Sequence, residues 1–69
     1  MAKYVYFVSY LSEDKRGDIY AHNVELELPE KLTSLDPLRR FEERALATYS
    51  QFNICSVTVI NFQLLRVEE

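Results

Sequence analysis

The chain has 69 residues and a mass of 8.2 kDa, which predicts a single domain over residues 1–69 and excludes most enzyme architectures. With 48% hydrophobic residues, one glycine and two prolines, the composition excludes a disordered or collagen-like chain. Eight basic and eleven acidic residues give a net charge of -3, which argues against general binding to duplex DNA or to an anionic membrane.

The single cysteine, Cys55, cannot form an intrachain disulfide, and no Cys/His cluster with the spacing of a metal site is present in the sequence. Domains of this size usually need a cross-link, a metal or a partner, because apolar burial and conformational entropy nearly cancel. Association is therefore the expected source of additional stability. We predict a homo-oligomer, most simply a dimer, with no cofactor and no metal, in which Cys55 is a small buried hydrophobe.

The first apolar run covers residues 4–11 and is half aromatic. Eight residues are too few to span a membrane, and the small-residue cleavage pattern of a signal peptide does not follow them. We therefore expect a cytoplasmic protein in a reducing setting, with no membrane partner.

Two strands are predicted in the first part of the chain. Residues 3–12 are rich in Tyr, Val and Phe, which favours a strand. A charged turn follows, and its Gly17 is the natural place for a positive φ. Residues 18–28 end in a strict alternation of apolar and polar side chains, which indicates a half-buried strand and thus a hairpin.

A helix and a third strand are predicted after Pro29. Asp36 and Pro37 indicate the helix start, because Asp accepts the first free amides and Pro is tolerated in the first turn. Apolar residues recur every three or four positions over residues 37–51, which gives the helix one apolar stripe. Asn53 is the expected left-handed cap. Residues 54–65, β-branched and then aromatic, predict the third strand.

The order strand, strand, helix, strand predicts an α+β fold of the ββαβ type. A right-handed crossover places the third strand beside the first, which gives an antiparallel sheet of order 2-1-3 with the helix on one face. We assign the helix face to Val5, Phe7, Val24, Leu26 and Leu28, and we expect Phe41 to meet Phe7 beneath the helix.

The opposite face of the sheet is the predicted interaction surface. The even positions of the first strand lie there, joined by one phase of the third strand, either Ile60, Phe62 and Leu64 or Val57 and Val59. A bulge near Asn61 would let that strand change phase. An apolar, Tyr-rich patch on a charged domain is typical of an interface. The candidate interface residues are Tyr4, Tyr6, Val8, Tyr10, Ile60 and Phe62.

Two other interpretations of this aromatic face remain open. Tyrosines on a sheet can pack across strands and need no ligand. Exposed aromatic rings on a central strand can also stack RNA bases, which would make the protein a small nucleic-acid-associated regulator. Glu25 and Glu27 would lie beside those rings and repel phosphate. Protein–protein interaction is therefore the first function hypothesis, and nucleic-acid binding is the alternative.

No catalytic constellation is visible in the sequence. The sole histidine, His22, is expected near Ser9 in the hairpin, but both lie on regular strands without an orienting acid or glycines for an oxyanion hole. We therefore expect no catalytic residues and no enzymatic activity.

The opening segment YVYFVSY and the closing segment VTVINFQLL carry a resemblance. Together they resemble very short phage and prophage proteins of unknown function, which open with a YFVSY-like strand and close with an I-NF-LL-like strand. The resemblance covers most of the chain, although the first turn of that group is glycine-rich and here has Gly17 alone. It implies an accessory protein in the cytoplasm of a bacterial host that acts on a host protein, and it supplies no catalytic or binding residues.

Overall fold

The computed structural model describes residues 2–69 and confirms the ββαβ order. Its elements are β1 (Lys3–Asp14), β2 (Ile19–Leu28), α1 (Asp36–Tyr49), a 3-10 turn (Ser50–Phe52) and β3 (Ile54–Glu68). Both neighbours of β1 are antiparallel to it, and the strand order is β2-β1-β3, as predicted. The molecule is a small α+β domain with β1 in the centre of the sheet.

The two strands that pair most extensively run further than predicted. β1 continues to Asp14 and β3 to Glu68, because their charged ends still pair through the backbone, as in the pairing of Lys3 with Glu68. Backbone hydrogen bonds do not require an apolar side chain, so hydrophobicity alone underestimates the length of a paired strand.

The predicted turn and cap residues adopt the expected backbone. Gly17 has φ 89° in the β1–β2 turn, and Asn53 has φ 66° between the 3-10 turn and β3. The helix start differs by one residue, since Leu35 is the N-cap and Asp36 is already helical without capping the helix. The amide N–H of Asp36 instead donates to Ser34 Oγ at 3.3 Å.

The helix packs on the opposite face of β1 from the one predicted. One buried cluster joins Tyr6, Val8 and Leu38, and a second joins Tyr10, Ala45 and Val57. The prediction that the even positions of β1 lie on the face away from the helix is therefore wrong. The correction applies to Tyr4, Tyr6, Val8 and Tyr10.

The predicted contact between Phe41 and Phe7 is also wrong. The Phe41 ring lies edge-on to the Tyr10 ring with centroids 5.3 Å apart, whereas Phe7 is on the open face of the sheet and 37% exposed. Val5 lies on that open face as well, because odd positions of β1 alternate with the even positions under the helix.

Register explains this error. Directly paired residues of an antiparallel sheet share a face, and Val24 pairs with Val8 while Leu26 pairs with Tyr6. The assignment of Val24, Leu26 and Leu28 to the helix side is confirmed. The predicted helix face joins these three residues of β2 to odd positions of β1, which differs from the observed pairing by one residue. A shift of one residue moves every side chain of a strand to the other face.

An ion pair crosses the open face near one end of the sheet. The Arg66 guanidinium of β3 lies 2.9 Å from the Glu25 carboxylate of β2, so this pair crosses over β1. Arg66 and Glu25 are opposite Val5 and Phe7 respectively, and Val5 is fully buried. The long side chains shield Val5 from water on a face that has no helix.

The loop between β2 and α1 is held by a buried tyrosine. The Tyr6 hydroxyl accepts a hydrogen bond of 2.9 Å from the Leu32 backbone N–H, and Leu32 packs against the cluster that contains Tyr6. A phenol suits this position because its ring fills the core while its hydroxyl satisfies a loop amide.

Replacing Leu38 by Ala should destabilise the domain by about 2–5 kcal/mol, because Leu38 is 3% exposed and its loss leaves a cavity against Tyr6 and Val8. Urea denaturation followed by circular dichroism measures the change. Ile19→Ala is the control, since Ile19 is 63% exposed and its truncation should cost less than about 0.5 kcal/mol. Equal effects of the two variants would contradict the packing of α1.

Candidate interaction surface

β3 changes phase along its length. Ser9 pairs with Asn61 and Tyr10 pairs with Val59, so Ile60 is an extra residue in the strand. The predicted bulge near Asn61 is confirmed. The bulge places both predicted sets of apolar side chains of β3 on the helix side. Val57 and Val59 lie opposite Ser12 and Tyr10, and Phe62 and Leu64 lie opposite Val8 and Tyr6.

A second register shift lies near the end of β3. Val5 pairs with Arg66 and Tyr6 pairs with Leu64, which leaves Leu65 as another extra residue. This second extra residue reverses the alternation of side chains again, so that Val67 lies opposite Tyr4 on the helix side. Without this bulge, Val67 would lie on the open face.

The helix is too short to cover all of β3. A 14-residue helix is about 21 Å long, whereas β3, which contains three bulges, pairs along the 12 residues of β1 and extends for about 40 Å. α1 packs on the first part of the strand, at Val57 and Val59. The second part leaves five apolar side chains between 36% and 57% exposed, and we call them the β3 patch: Ile60, Phe62, Leu64, Leu65 and Val67.

The outer edge of β3 is capped where the helix reaches it. The Val59 N–H donates a hydrogen bond of 2.7 Å to Glu42 Oε2, and the Glu42 side chain is 12% exposed. Arg39 Nη1 lies 3.0 Å from Glu42 Oε1 and holds the carboxylate in place. Glu42 therefore occupies the backbone donor that a further strand would use at this point.

Beyond Val59 the outer edge has no such cap. β3 has β1 as its one neighbouring strand in the sheet that residues 2–69 form, so its other edge is open to pairing. Between Asn61 and Val67 the strand has one charged residue, Arg66, which is bound to Glu25 across the open face. The exposed backbone edge and the β3 patch thus belong to the same segment.

A cleft lies between the patch and the helix. It is lined by Leu35, Leu38 and Glu42 on one side and by Ile60 and Phe62 on the other. Its volume of about 170 Å³ is below the range of about 300–1,000 Å³ that is typical of small-molecule sites. The cleft extends the apolar surface and does not suggest a ligand pocket.

The predicted interface residues separate into two groups. Ile60 and Phe62 are exposed in the β3 patch, whereas Tyr6, Val8 and Tyr10 are buried beneath the helix and Tyr4 packs against the same cluster. The sequence prediction did not include Leu65 or Val67. Their signal was the apolar stretch of β3 that continues beyond the reach of the helix.

The aromatic face on which the nucleic-acid alternative depended is the helix side of β1. The tyrosine rings of Tyr6 and Tyr10 are 4% and 7% exposed and cannot stack on bases. The open face presents Glu25 and Glu27 opposite Phe7 and Val5, so carboxylates border its apolar centre.

A serine and the single histidine meet inside the hairpin, although not the predicted pair. His22 Nε2 lies 2.8 Å from Ser12 Oγ, while Ser9 Oγ donates to Asn23 Oδ1 at 2.8 Å. His22 also stacks on Tyr10 with ring centroids 4.8 Å apart. Ser12 is 3% exposed, so its hydroxyl holds the strands together and is closed to a substrate.

The pKa of Tyr10, whose ring stacks on His22, is raised. Burial raises the pKa of Tyr10, and the neighbouring Tyr49 hydroxyl raises it further by repulsion and by hydrogen bonding. The raised pKa favours the neutral phenol, which suits a side chain that is 7% exposed in the core.

Asp14 organises the turn between β1 and β2. Its carboxylate accepts hydrogen bonds from the N–H groups of Arg16 and Asp18 at 2.9 and 3.0 Å, and from the Tyr20 hydroxyl at 3.1 Å. Burial alone would raise the pKa of Asp14, but these hydrogen bonds and the Arg16 charge outweigh it and lower the pKa.

Cys55 lies beside this turn and is exposed, which corrects the prediction of a buried cysteine. A third register shift pairs Glu13 with Ser56 and Asp14 with Ile54, so Cys55 is the extra residue. Its Sγ contacts the Asp14 carbonyl oxygen at 3.5 Å. A bulge residue is not held in the alternation of the sheet, which explains the exposure.

The free energy of unfolding should fall as the pH drops from about 5 to about 2, and Asp14→Asn should make this fall shallower. A carboxyl whose pKa is lowered by folding stabilises the fold above its unfolded pKa, and this contribution is lost as the pH falls through the folded pKa. Urea titrations at several pH values measure the slope. Asp18→Asn is the control, because that carboxylate is 61% exposed. An unchanged slope in Asp14→Asn would contradict the assignment.

Neither a metal site nor a membrane helix is found in the part of the chain that the structure describes. Over residues 2–69, no three His, Cys, Asp or Glu side chains are grouped so that they could hold a metal ion. Among the same residues, no helix has the length and apolar character needed to cross a membrane. No model of a known protein family matches the chain, and no curated protein or solved structure matches it.

Proposed function

We propose that the protein is a non-enzymatic interaction protein that forms a homodimer through the β3 patch. The observation that carries this proposal is the coincidence, in one segment, of five exposed apolar side chains and an open strand edge. The resemblance to short phage and prophage proteins supports an accessory role in a bacterial cytoplasm, where the same surface would serve a host protein as a second partner.

Burial of the β3 patch would favour association of two copies of the chain. Contiguous apolar patches larger than roughly a few hundred Å² are uncommon on monomeric proteins, and burying apolar surface yields about 25 cal/mol for each Å² removed from water. α1 packs on β3 at Val57 and Val59 and only flanks the patch at Ile60 and Phe62, so full burial of the patch requires a second chain. A copy of the same chain is the simplest partner, because a two-fold axis makes one patch its own complement.

The small core supports the same proposal. Apart from Val5, the buried apolar side chains of residues 2–69 form two clusters of three residues each, and no disulfide links them. Domains of this size gain stability from oligomerisation when cross-links and metals are lacking. Dimerisation would then contribute to the folding free energy as well as to function.

Charge argues against phosphate as the target of this surface. Arg66 is the one cation next to the patch in sequence, and its guanidinium is 2.9 Å from Glu25 and 2.7 Å from Glu68. Hydrogen bonds to Glu68 and then to Glu25 raise the pKa of Arg66, so it stays charged but already has its counterions. A nucleic-acid surface would need unpaired cations here.

Phe62→Lys should shift the protein from dimer to monomer and make its melting temperature independent of concentration, because a buried ammonium opposes association. Light scattering after size exclusion gives the mass, and melting at two concentrations gives the dependence. Phe7→Lys is the matched control, since Phe7 and Phe62 are 37% and 41% exposed but lie on opposite faces. A parent mass near 8.2 kDa at high micromolar concentration would contradict the dimer.

A further inference from the structure

We infer that two copies join by antiparallel pairing of their β3 edges over residues 61–68, with Leu64 on the two-fold axis and one continuous six-stranded sheet as the result. This inference rests on the proposed homodimer and specifies its partner, its surface and its register. Three features of the structure lead to it: the direction of the free backbone groups, the position of Glu42 and the distribution of side chains on β3.

The direction of the free backbone groups follows from Val59. Its N–H points away from β1, since it donates to Glu42, and its side chain packs on the helix side. In a strand, the side of a residue and the direction of its N–H alternate together. Residues 62, 64 and 67 also lie on the helix side, so their N–H and C=O groups point to the open edge.

Glu42 limits where a second strand can pair. Its carboxylate occupies the Val59 N–H at 2.7 Å and is itself held by Arg39. A partner strand that advanced as far as Val59 would have to displace a hydrogen-bonded and largely buried charge, which is costly. The edge available for pairing therefore begins after the bulge at Ile60 and runs to the end of β3.

An antiparallel pair centred on Leu64 uses this whole edge. When the bulge residue Leu65 is allowed for, the helix side pairs Leu64 with the partner's Leu64 and Phe62 with the partner's Val67. The open side pairs Gln63 with the partner's Arg66 and Asn61 with the partner's Glu68. Apolar side chains thus meet only apolar ones, and polar side chains meet polar or charged ones.

Two other registers of the antiparallel pair are less favourable. Centring the pair on Gln63 places the partner's Val67 opposite Val59, where Glu42 already occupies the edge. Centring it on Val67 places Phe62 beyond the end of the partner's β3, which stops at Glu68. Because the two-fold axis is perpendicular to the sheet, the Leu64 register keeps both helices on the same face and joins the two patches into one apolar surface.

A charge-pair experiment tests the register. Phe62→Lys and Val67→Glu should each weaken the dimer at least tenfold, whereas the double variant should regain about fivefold, because each introduced ammonium faces an introduced carboxylate of the partner. The double variant Phe62→Lys with Leu64→Glu is the matched control and should regain nothing, since position 62 faces position 64 only in the Gln63 register. Recovery in the control alone would overturn the Leu64 register.

Cysteine cross-linking tests the same contact directly. In a Cys55→Ser background, Leu64→Cys should form a disulfide dimer in a redox buffer, because directly opposed residues have the Cα separation that a disulfide needs. Gln63→Cys is the control and should stay largely reduced. Cross-linking of Gln63→Cys alone overturns the register.

The remaining outcomes separate this inference from the proposed function. If neither cysteine variant cross-links while light scattering shows a dimer, edge pairing is overturned and dimerisation through another geometry stands. If the parent protein is a monomer at high micromolar concentration, both the dimer and its geometry are overturned.

Discussion

The difference in length between a helix and a strand of similar residue count governs this structure. Fourteen helical residues advance about 21 Å, whereas β3 extends for about 40 Å along the twelve residues of β1, so one helix cannot cover the sheet that its own chain builds. The molecule is accordingly elongated, 43 × 18 × 17 Å. The loop that carries Leu32 covers part of the remaining length near β1 and β2, held by the Tyr6 hydroxyl. No comparable segment of residues 2–69 packs on the β3 patch.

The bulges of β3 decide which side chains this uncovered length presents. Each extra residue reverses the alternation, and together Ile60 and Leu65 keep apolar side chains on the helix side from Val57 to Val67. A regular strand would have placed Phe62 and Leu64 beside Phe7 on the open face. The open face instead receives Gln63 and Arg66, and the Arg66–Glu25 pair shields Val5 there. The same irregularities therefore make one face polar and the other apolar.

Local chemistry in the sequence was sufficient for the element order, for Gly17 and Asn53 at positive φ and for the bulge near Asn61, because each depends on a few adjacent residues. Which face of β1 packs against the helix could not be predicted in this way, because both faces of that strand are apolar and the alternation of its side chains does not distinguish them. The pairing with β2 determines the helix side of β1, because the apolar residues of β2 alternate with polar ones and Val24 is opposite Val8. The burial of Val5 depends on Arg66 and Glu25, which are 41 residues apart and could not be paired from spacing alone.

Glu42 shows how the fold treats its exposed edge. Natural sheets commonly protect an edge with charges or with a covering element, because an unprotected edge pairs with other chains. Here α1 supplies such protection at Val59 through a carboxylate that is 12% exposed, and Arg39 compensates its charge. This hydrogen-bonded protection stops at Val59, and the one cation of β3 beyond it, Arg66, is bound to Glu25 on the far face. An edge that is guarded over one half and apolar over the other restricts pairing to a single segment, which is the property that distinguishes a specific strand-pairing interface from indiscriminate aggregation.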